Sequence, residues 1–273
     1  MEAFISTSGP AGLLALFLLL GLATGIPAGM FGIGGGLVLV PALVWVFAWM
    51  GFDSQFLVQA AIGTSLGAII PTAMLSARGH FLRGGVHGPS VRRLLPPILV
   101  GAVLGALLAI QIDGRFLARI FGVFEITIAV WLLLSIRPPA RPEAGRTVWF
   151  GAGTGIGMVS ALIGIAGGTL TTPFLLSRGL DIRQAIGSAA VLGIPIAIAG
   201  SLVYALPALI DKGAETPEWS IGHLYLPAIA GIAAGAAVSV RAGVWLAHHL
   251  PVATLRRSFA GVLMLAGVYM LLR

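Results

Sequence analysis

Apolar residues in this chain run in long blocks, and glycine, proline and arginine divide them rather than any regular polar face. No charged residue occurs between Glu2 and Asp53, between Asp53 and Arg78, between Arg93 and Asp113, or between Arg146 and Arg178. Each stretch can hold a helix of about 20 residues, the length that crosses a bilayer, and the first and last can hold two. The pattern predicts ten hydrophobic segments near 11–30, 34–50, 57–77, 94–111, 116–136, 147–164, 167–178, 184–207, 222–246 and 253–272. The segment at 167–178 is too short to span alone and reads as a half-helix or one arm of a re-entrant hairpin.

Composition agrees with that pattern. Hydrophobic residues make up 58% of the 273 and charged residues 9%, against about 25% charged in a soluble domain. The fold class expected is therefore an all-α integral membrane protein. The calculated pI of 11.2 does not indicate nucleic acid, because the basic residues are scattered between apolar blocks. They sort by side instead. With ten segments, Arg78, Arg83, Arg92, Arg93, Arg137, Arg141, Arg146, Arg178, Arg183, Arg241, Arg256 and Arg257 share one side, which is 12 of the 16 basic residues. Arg115, Arg119, Lys212 and Arg273 share the other. Cytoplasmic loops attract Arg and Lys, so the first side is expected to be cytoplasmic and both termini outside. Dropping 34–50 and 167–178 as segments splits the arginines almost evenly. The start of the chain lacks the positive region of a cleaved signal, so the first segment is expected to be retained. With no cysteine in the chain, disulfides and thiolate sites are excluded.

The two halves repeat each other. Gly32-Ile33-Gly34-Gly35-Gly36 leads to Pro41, and Gly164-Ile165-Ala166-Gly167-Gly168 leads to Pro173, at an offset of 132. Ala60 to Ser65 faces Gln184 to Ala189, and Pro71 faces Pro195. Pro97, Gly101 and Gly105 face Pro227, Gly231 and Gly235. The organisation expected is a first repeat at 1–136, a cytoplasmic linker at 137–146 and a second repeat at 147–273. Five is an odd number of segments, so the repeats must be inverted. Inverted repeats with broken helices mark secondary transporters, whose substrate lies where the repeats meet.

The candidate chemistry lies in those breaks. Runs of glycine weaken a helix by about 1 kcal/mol per residue relative to alanine. A helix that starts after such a break points unpaired N–H groups and its positive end at the site, which suits an anion. The expected substrate-binding set is Gly32, Gly34, Gly35 and Gly36 from one repeat and Gly164, Gly167, Gly168 and Thr169 from the other, with Thr171 and Thr172 as further donors. Pro41 and Pro173 are read as helix breaks. The hydroxyls of Thr64, Ser65 and Ser188 join the set by their repeated placement. Gly21, Gly25 and Gly29, and Gly101 with Gly105, read as close helix packing. Glu125 is the one acidic residue placed deep in a segment. A hydrogen bond to a neighbouring helix is its expected use, with proton coupling as the alternative. No nucleotide motif, catalytic constellation or metal-ligand spacing is present, so neither enzyme activity nor a cofactor is expected.

At these motifs the chain resembles the TauE/SafE sulfite-exporter family, also called the toluene-sulfonate uptake permease family. The stretches that carry the resemblance are Gly29 to Pro41 (GMFGIGGGLVLVP), Ser160 to Pro173 (SALIGIAGGTLTTP), Ala185 to Pro195, Leu250 to Phe259, and the basic loop Ala77 to Val86. Ala166 departs from the pattern of the first repeat, where Gly34 stands. The resemblance implies export of sulfite or a small organosulfonate across a bacterial inner membrane, with other small organic anions in some branches. The partners expected are a small anion and the lipid bilayer, with homo-oligomerisation left open. The competing reading is a membrane subunit that transports nothing itself.

Overall fold

The structure is a computed structural model that describes residues 2–31, 35–53, 55–134, 145–210, 217–249 and 252–273. Gly32 and Gly34 lie outside the described residues. Ten helices of ten residues or more follow one another: α1 (Glu2–Phe31), α2 (Gly36–Trp49), α3 (Leu57–Leu82), α4 (Gly88–Ala109), α5 (Gly114–Leu134), α6 (Arg146–Ile163), α7 (Gly168–Ser177), α8 (Ile182–Ala205), α10 (Leu226–His249) and α11 (Val252–Leu272). A single turn, α9 (Pro207–Ile210), and a two-residue hairpin, β1 (Ser220–Ile221) with β2 (Leu224–Tyr225), fill the connection before α10. Each expected segment coincides with one long helix. Six of these, α1, α3, α4, α5, α8 and α10, contain stretches long and apolar enough to cross a bilayer.

Several boundaries differ from the sequence expectation. α3 continues to Leu82 and α4 starts at Gly88, because basic residues at a membrane edge end the apolar run without ending the helix. Pro41 and Pro173 were expected to break helices, and they do not. Each is the sixth residue of a continuous helix, α2 or α7. The breaks lie upstream, at the glycines. An early proline costs a helix only the bond to the carbonyl four residues back.

The packing pairs helices from different halves. α1 lies along α10 and α4 along α6, while α5 meets α11 and α3 meets α8. The first two contacts are glycine seams. A methyl group added at Gly21 would run into the carbonyl of Ile232, and one at Gly25 into Ala236 and Ser239. One at Gly235 would run into Leu18 and one at Gly243 into Ile26. On the other seam, Gly101 and Gly105 lie against the carbonyls of Thr154 and Met158, and Gly157 against that of Ile98. Contacting residue numbers rise together along both seams, so each pair is parallel. Small residues allow this approach, and van der Waals contact then holds helices together where lipid supplies no hydrophobic drive. The structural reading of Gly21, Gly25, Gly101 and Gly105 is borne out.

Helix direction tests the segment count. Near its start, α3 places Gly63 against Tyr204 at the end of α8, and Leu66 against Gly200. At its far end, His80 meets Gly187 near the start of α8. The two helices are antiparallel. Antiparallel α3 and α8 require an odd number of reversals between them, so the chain turns back at α7, and the parallel pairing of α1 with α10 then requires a reversal at α2 as well.

Candidate functional site

The ends of α1 and α6 set the site. Gly164 takes φ of 76° and closes α6, with the Ile165 N–H bonded back to the Ser160 carbonyl at 2.9 Å. This left-handed glycine stop turns the chain sharply. Gly35 has the same φ of 76° and stands as the N-cap of α2. A side chain at either position would be strained, which is why glycine is needed there.

Helices α2 and α7 restart deep inside the bundle. Gly35, Gly36 and Leu37 are buried, as is every residue from Ile163 to Thr169. Neither helix has a side-chain cap. By contrast, Asp181 caps the exposed start of α8 through the N–H groups of Arg183 and Gln184, and the His87 ring accepts from Ser90 at the start of α4. The glycine cap of α6 is exposed and open to water. The Gly168 N–H donates to the Ala166 carbonyl, while the other first N–H groups and the positive helix ends have no side-chain cap.

The two breaks touch. A methyl group at Gly36 would meet the Gly164 carbonyl and lie 2.9 Å from Ile165 Cα. Ser65 of α3 donates from its Oγ to the same Gly164 carbonyl at 3.1 Å. Gly36 also faces Ile69 near the middle of α3, while Ala166 and Gly167 face Gly193 and Ile196 near the middle of α8. Small and branched apolar residues surround them: Ile69, Ala73, Ala166 and Ala197, flanked by Ile70 and Ile194. The hydroxyls of Ser160, Thr169, Thr171 and Thr172 are buried without a hydrogen-bond partner. Thr171 Oγ1 lies 3.2 Å from where a Gly167 side chain would begin, so it points at the start of α7. Buried hydroxyls are normally satisfied, and these four carry unused donors in the last turn of α6 and in α7.

The remaining sequence candidates separate from this cluster. The Thr64 hydroxyl accepts the Tyr225 N–H at 3.0 Å. The Ser188 hydroxyl accepts the His87 N–H at 2.9 Å. Tyr225 immediately precedes α10, and His87 immediately precedes α4. The two bonds are therefore one interaction made twice, once per repeat, at opposite ends of the α3–α8 pair. The neighbouring glycines seat the same loops, since Gly63 packs on the His223 carbonyl and Gly187 on that of Gly85. In this structure the Thr64 and Ser188 hydroxyls fasten loops, apart from the cluster at the breaks. Their repeated placement was legible in the sequence, but the loops they hold, more than 100 residues away, were not.

At the Thr64 end, Tyr225 stands edge-on to Phe17, Phe47 and Phe52, at 5.9, 5.7 and 5.5 Å. His223 is buried beside Phe56 and Tyr204, and burial lowers its pKa to about 4. At the Ser188 end lie Arg83, Arg92, Arg93, Arg146, Arg178 and Arg183. Here Arg93 covers Trp149, Trp149 meets Phe174 edge-on, and Arg178 covers Phe174. Glu125 lies away from both ends, in the middle of α5, fully buried. The expected hydrogen bond to a neighbouring helix is absent, for both of its oxygens lack a partner.

The comparisons with known proteins fit this architecture. A family model described as sulfite exporter TauE/SafE matches residues 17–270. A probable membrane transporter protein of Haemophilus influenzae is 35% identical over 260 residues, covering 94% of this chain and 98% of the relative. One from Methanocaldococcus jannaschii is 27% identical, covering 95% and 96%. The probable inner membrane transporter protein TsaS of Comamonas testosteroni is 28% identical over 228 residues, covering 81% and 88%. No solved structure matches the chain. The broken helices, the paired halves and the match along nearly the whole length agree: the chain belongs to the TauE/SafE family of membrane transporters.

Proposed function

We propose that this protein is a secondary carrier that exports sulfite or a small organosulfonate across a bacterial inner membrane, through two inverted five-helix repeats. One observation carries the site: two buried, uncapped helix starts, one per repeat, touch each other beside partnerless threonine hydroxyls. A sulfite or sulfonate group presents three oxygens that match such donors. It would sit where Gly35 and Gly36 meet Gly164, Gly167 and Gly168, with Thr169 and Thr171 as side-chain donors and Ser65 holding the wall. Gly32 and Gly34 join this set by the sequence repeat alone. In this closed arrangement the breaks are in contact, so binding requires them to part.

The exchange of partners supports inversion. α1 pairs with α10 as α6 pairs with α4, and the equivalent helices α3 and α8 are antiparallel. The two fastenings then become gates. The Ser188 bond closes the arginine-rich end, which the charge bias places in the cytoplasm. The Thr64 bond closes the outer end, where both termini lie. Loosening one while the other holds gives alternating access. An inside-negative potential drives a monoanion outward by about 2.3 kcal/mol per 100 mV, so export needs no nucleotide.

The test is efflux of sulfite and of toluenesulfonate from liposomes that contain only this protein, with and without an imposed potential. Saturable efflux that accelerates with the potential, and weakens in Thr171→Val, is the expected result. Folded protein that moves neither anion, with or without potential, refutes the carrier reading and favours a non-transporting subunit or a carrier of some other small organic anion.

A further inference from the structure

Glu125 is twelfth of the 21 residues of α5, so neither end of the helix is near it. It sits at the crossing of α5 with α11, the equivalent helices of the two halves. The crossing is tight. A methyl group at Gly122 would lie 2.7 Å from the Gly267 carbonyl, and one at Gly267 would lie 2.9 Å from that of Gly122 and 3.2 Å from Glu125 Cβ. Both carboxyl oxygens are enclosed there with no donor.

Among the described residues, the surrounding elements offer no charge beside it. Within α5, Arg115 and Arg119 stand exposed toward its start. α11 has no Asp, Glu, Lys, Arg or His between Arg257 and Arg273, and its Tyr269 hydroxyl already accepts from Arg273 at 2.8 Å. On α3, Arg78 and His80 belong to the far end, and the Gln59 amide nitrogen donates to the Ile112 carbonyl. On α6, Arg146 is the first residue and no other charge follows within the helix. An ionised carboxylate enclosed without a counter-charge or donor is strongly disfavoured, whereas the neutral acid loses far less by burial. This packing therefore accommodates the protonated form. Ionisation requires water at the crossing, and water requires α5 and α11 to move apart.

We propose that Glu125 is a proton-binding site that couples proton movement to the relative motion of the two halves. With the crossing closed, the carboxyl holds its proton. When rocking opens the crossing, the O–H bond breaks, the proton passes to water, and the carboxylate is stabilised by that water. Reprotonation from the opposite compartment lets the crossing close again. The proposal rests on the carrier reading, since coupling needs a transported anion.

The experiment uses the intact protein in liposomes, with the membrane potential clamped and toluenesulfonate as the probe. A sulfonate stays a monoanion across the working pH range, so any response to pH belongs to the protein. A one-unit pH gradient should shift the steady-state distribution of the probe up to about tenfold for one proton per anion. Glu125→Gln should still move the probe while losing that shift. The infrared difference between wild type and Glu125→Gln at neutral pH should show a protonated-carboxyl C=O band. Absence of that band, or an unchanged pH response in a folded, transporting Glu125→Gln, overturns the proposal. Wild type that moves neither toluenesulfonate nor sulfite overturns the carrier reading and the coupling with it, an outcome distinct from flux that ignores pH.

Discussion

The two fastening hydroxyls allow a prediction with opposite signs at the two ends. In Ser188→Ala the His87 N–H loses its acceptor, and in Thr64→Val the Tyr225 N–H does. Both hydroxyl-bearing residues are fully buried, the Tyr225 bond is buried and the His87 bond is part-buried, so the abandoned N–H has little water while its gate is shut, least at Tyr225. An unsatisfied buried donor costs about 1–3 kcal/mol. Once the gate opens, water satisfies the N–H and the cost vanishes. The substitution therefore destabilises the closed gate relative to the open one by that amount. This is roughly a 5- to 150-fold change in the ratio of the two states. The chain has no cysteine, so single thiols report cleanly. Ala189→Cys lies one residue inward of Ser188 and Ala68→Cys one turn inward of Thr64, and both alanines are buried. A membrane-impermeant thiol reagent applied from the cytoplasmic face should label Ala189→Cys at least fivefold faster in Ser188→Ala. From the outer face it should label Ala68→Cys at least fivefold faster in Thr64→Val. Each variant should slow labelling at the other face. Rates within twofold of the parent at both faces would refute the gate reasoning.

Three further outcomes are expected. Thr171→Val removes a buried hydroxyl that has no protein partner, so thermal stability should hold or rise slightly while half-saturation for sulfite rises several-fold; a stability loss above about 1 kcal/mol would show that the hydroxyl is structural. Gly105→Ala drives a methyl into the Met158 carbonyl, while Gly155→Ala meets open space. Overpacking costs about 1–3 kcal/mol, so detergent-unfolding curves should fall for the first and not for the second. His223 has a folded pKa near 4, below its ordinary 6.5, so the unfolded state takes up a proton first as pH falls. Stability of the Ser220–Tyr225 hairpin should be full above pH 6.5 and decline between 6.5 and about 4, by roughly 3 kcal/mol at the lower limit. Thermal melts of His223→Phe across that range should lack this decline.

Much of the architecture was legible because lipid imposes a simple rule on sequence. Apolar length gives helices, and arginine placement gives parity, so the short segments at 34–50 and 167–178 could be counted as reversals before any coordinates. The glycine breaks were legible because they recur at one spacing. What the residues could not show was tertiary. A threonine that accepts a distant loop N–H and a threonine that points into a helix start look alike in sequence, yet Thr64 does the first and Thr171 the second. Proline misled for a related reason. Pro41 and Pro173 look like breaks, but a proline in the second turn of a helix is tolerated when the chain has already been interrupted upstream. Glu125 was legible as costly, and only the packing revealed that no partner answers it.

The glycine seams bear on how such a chain could have arisen. Each joins a helix of one half to a helix of the other, so neither half completes its own seam, and a five-helix half alone would leave two small-residue grooves facing lipid. The stable ancestor would have been a pair of identical chains inserted in opposite senses, each lending a helix to its neighbour's groove. Fusion of the two genes would fix the orientation of each copy and free the sequences to diverge. A lone glutamate could then settle in α5, opposite Gly267 in α11.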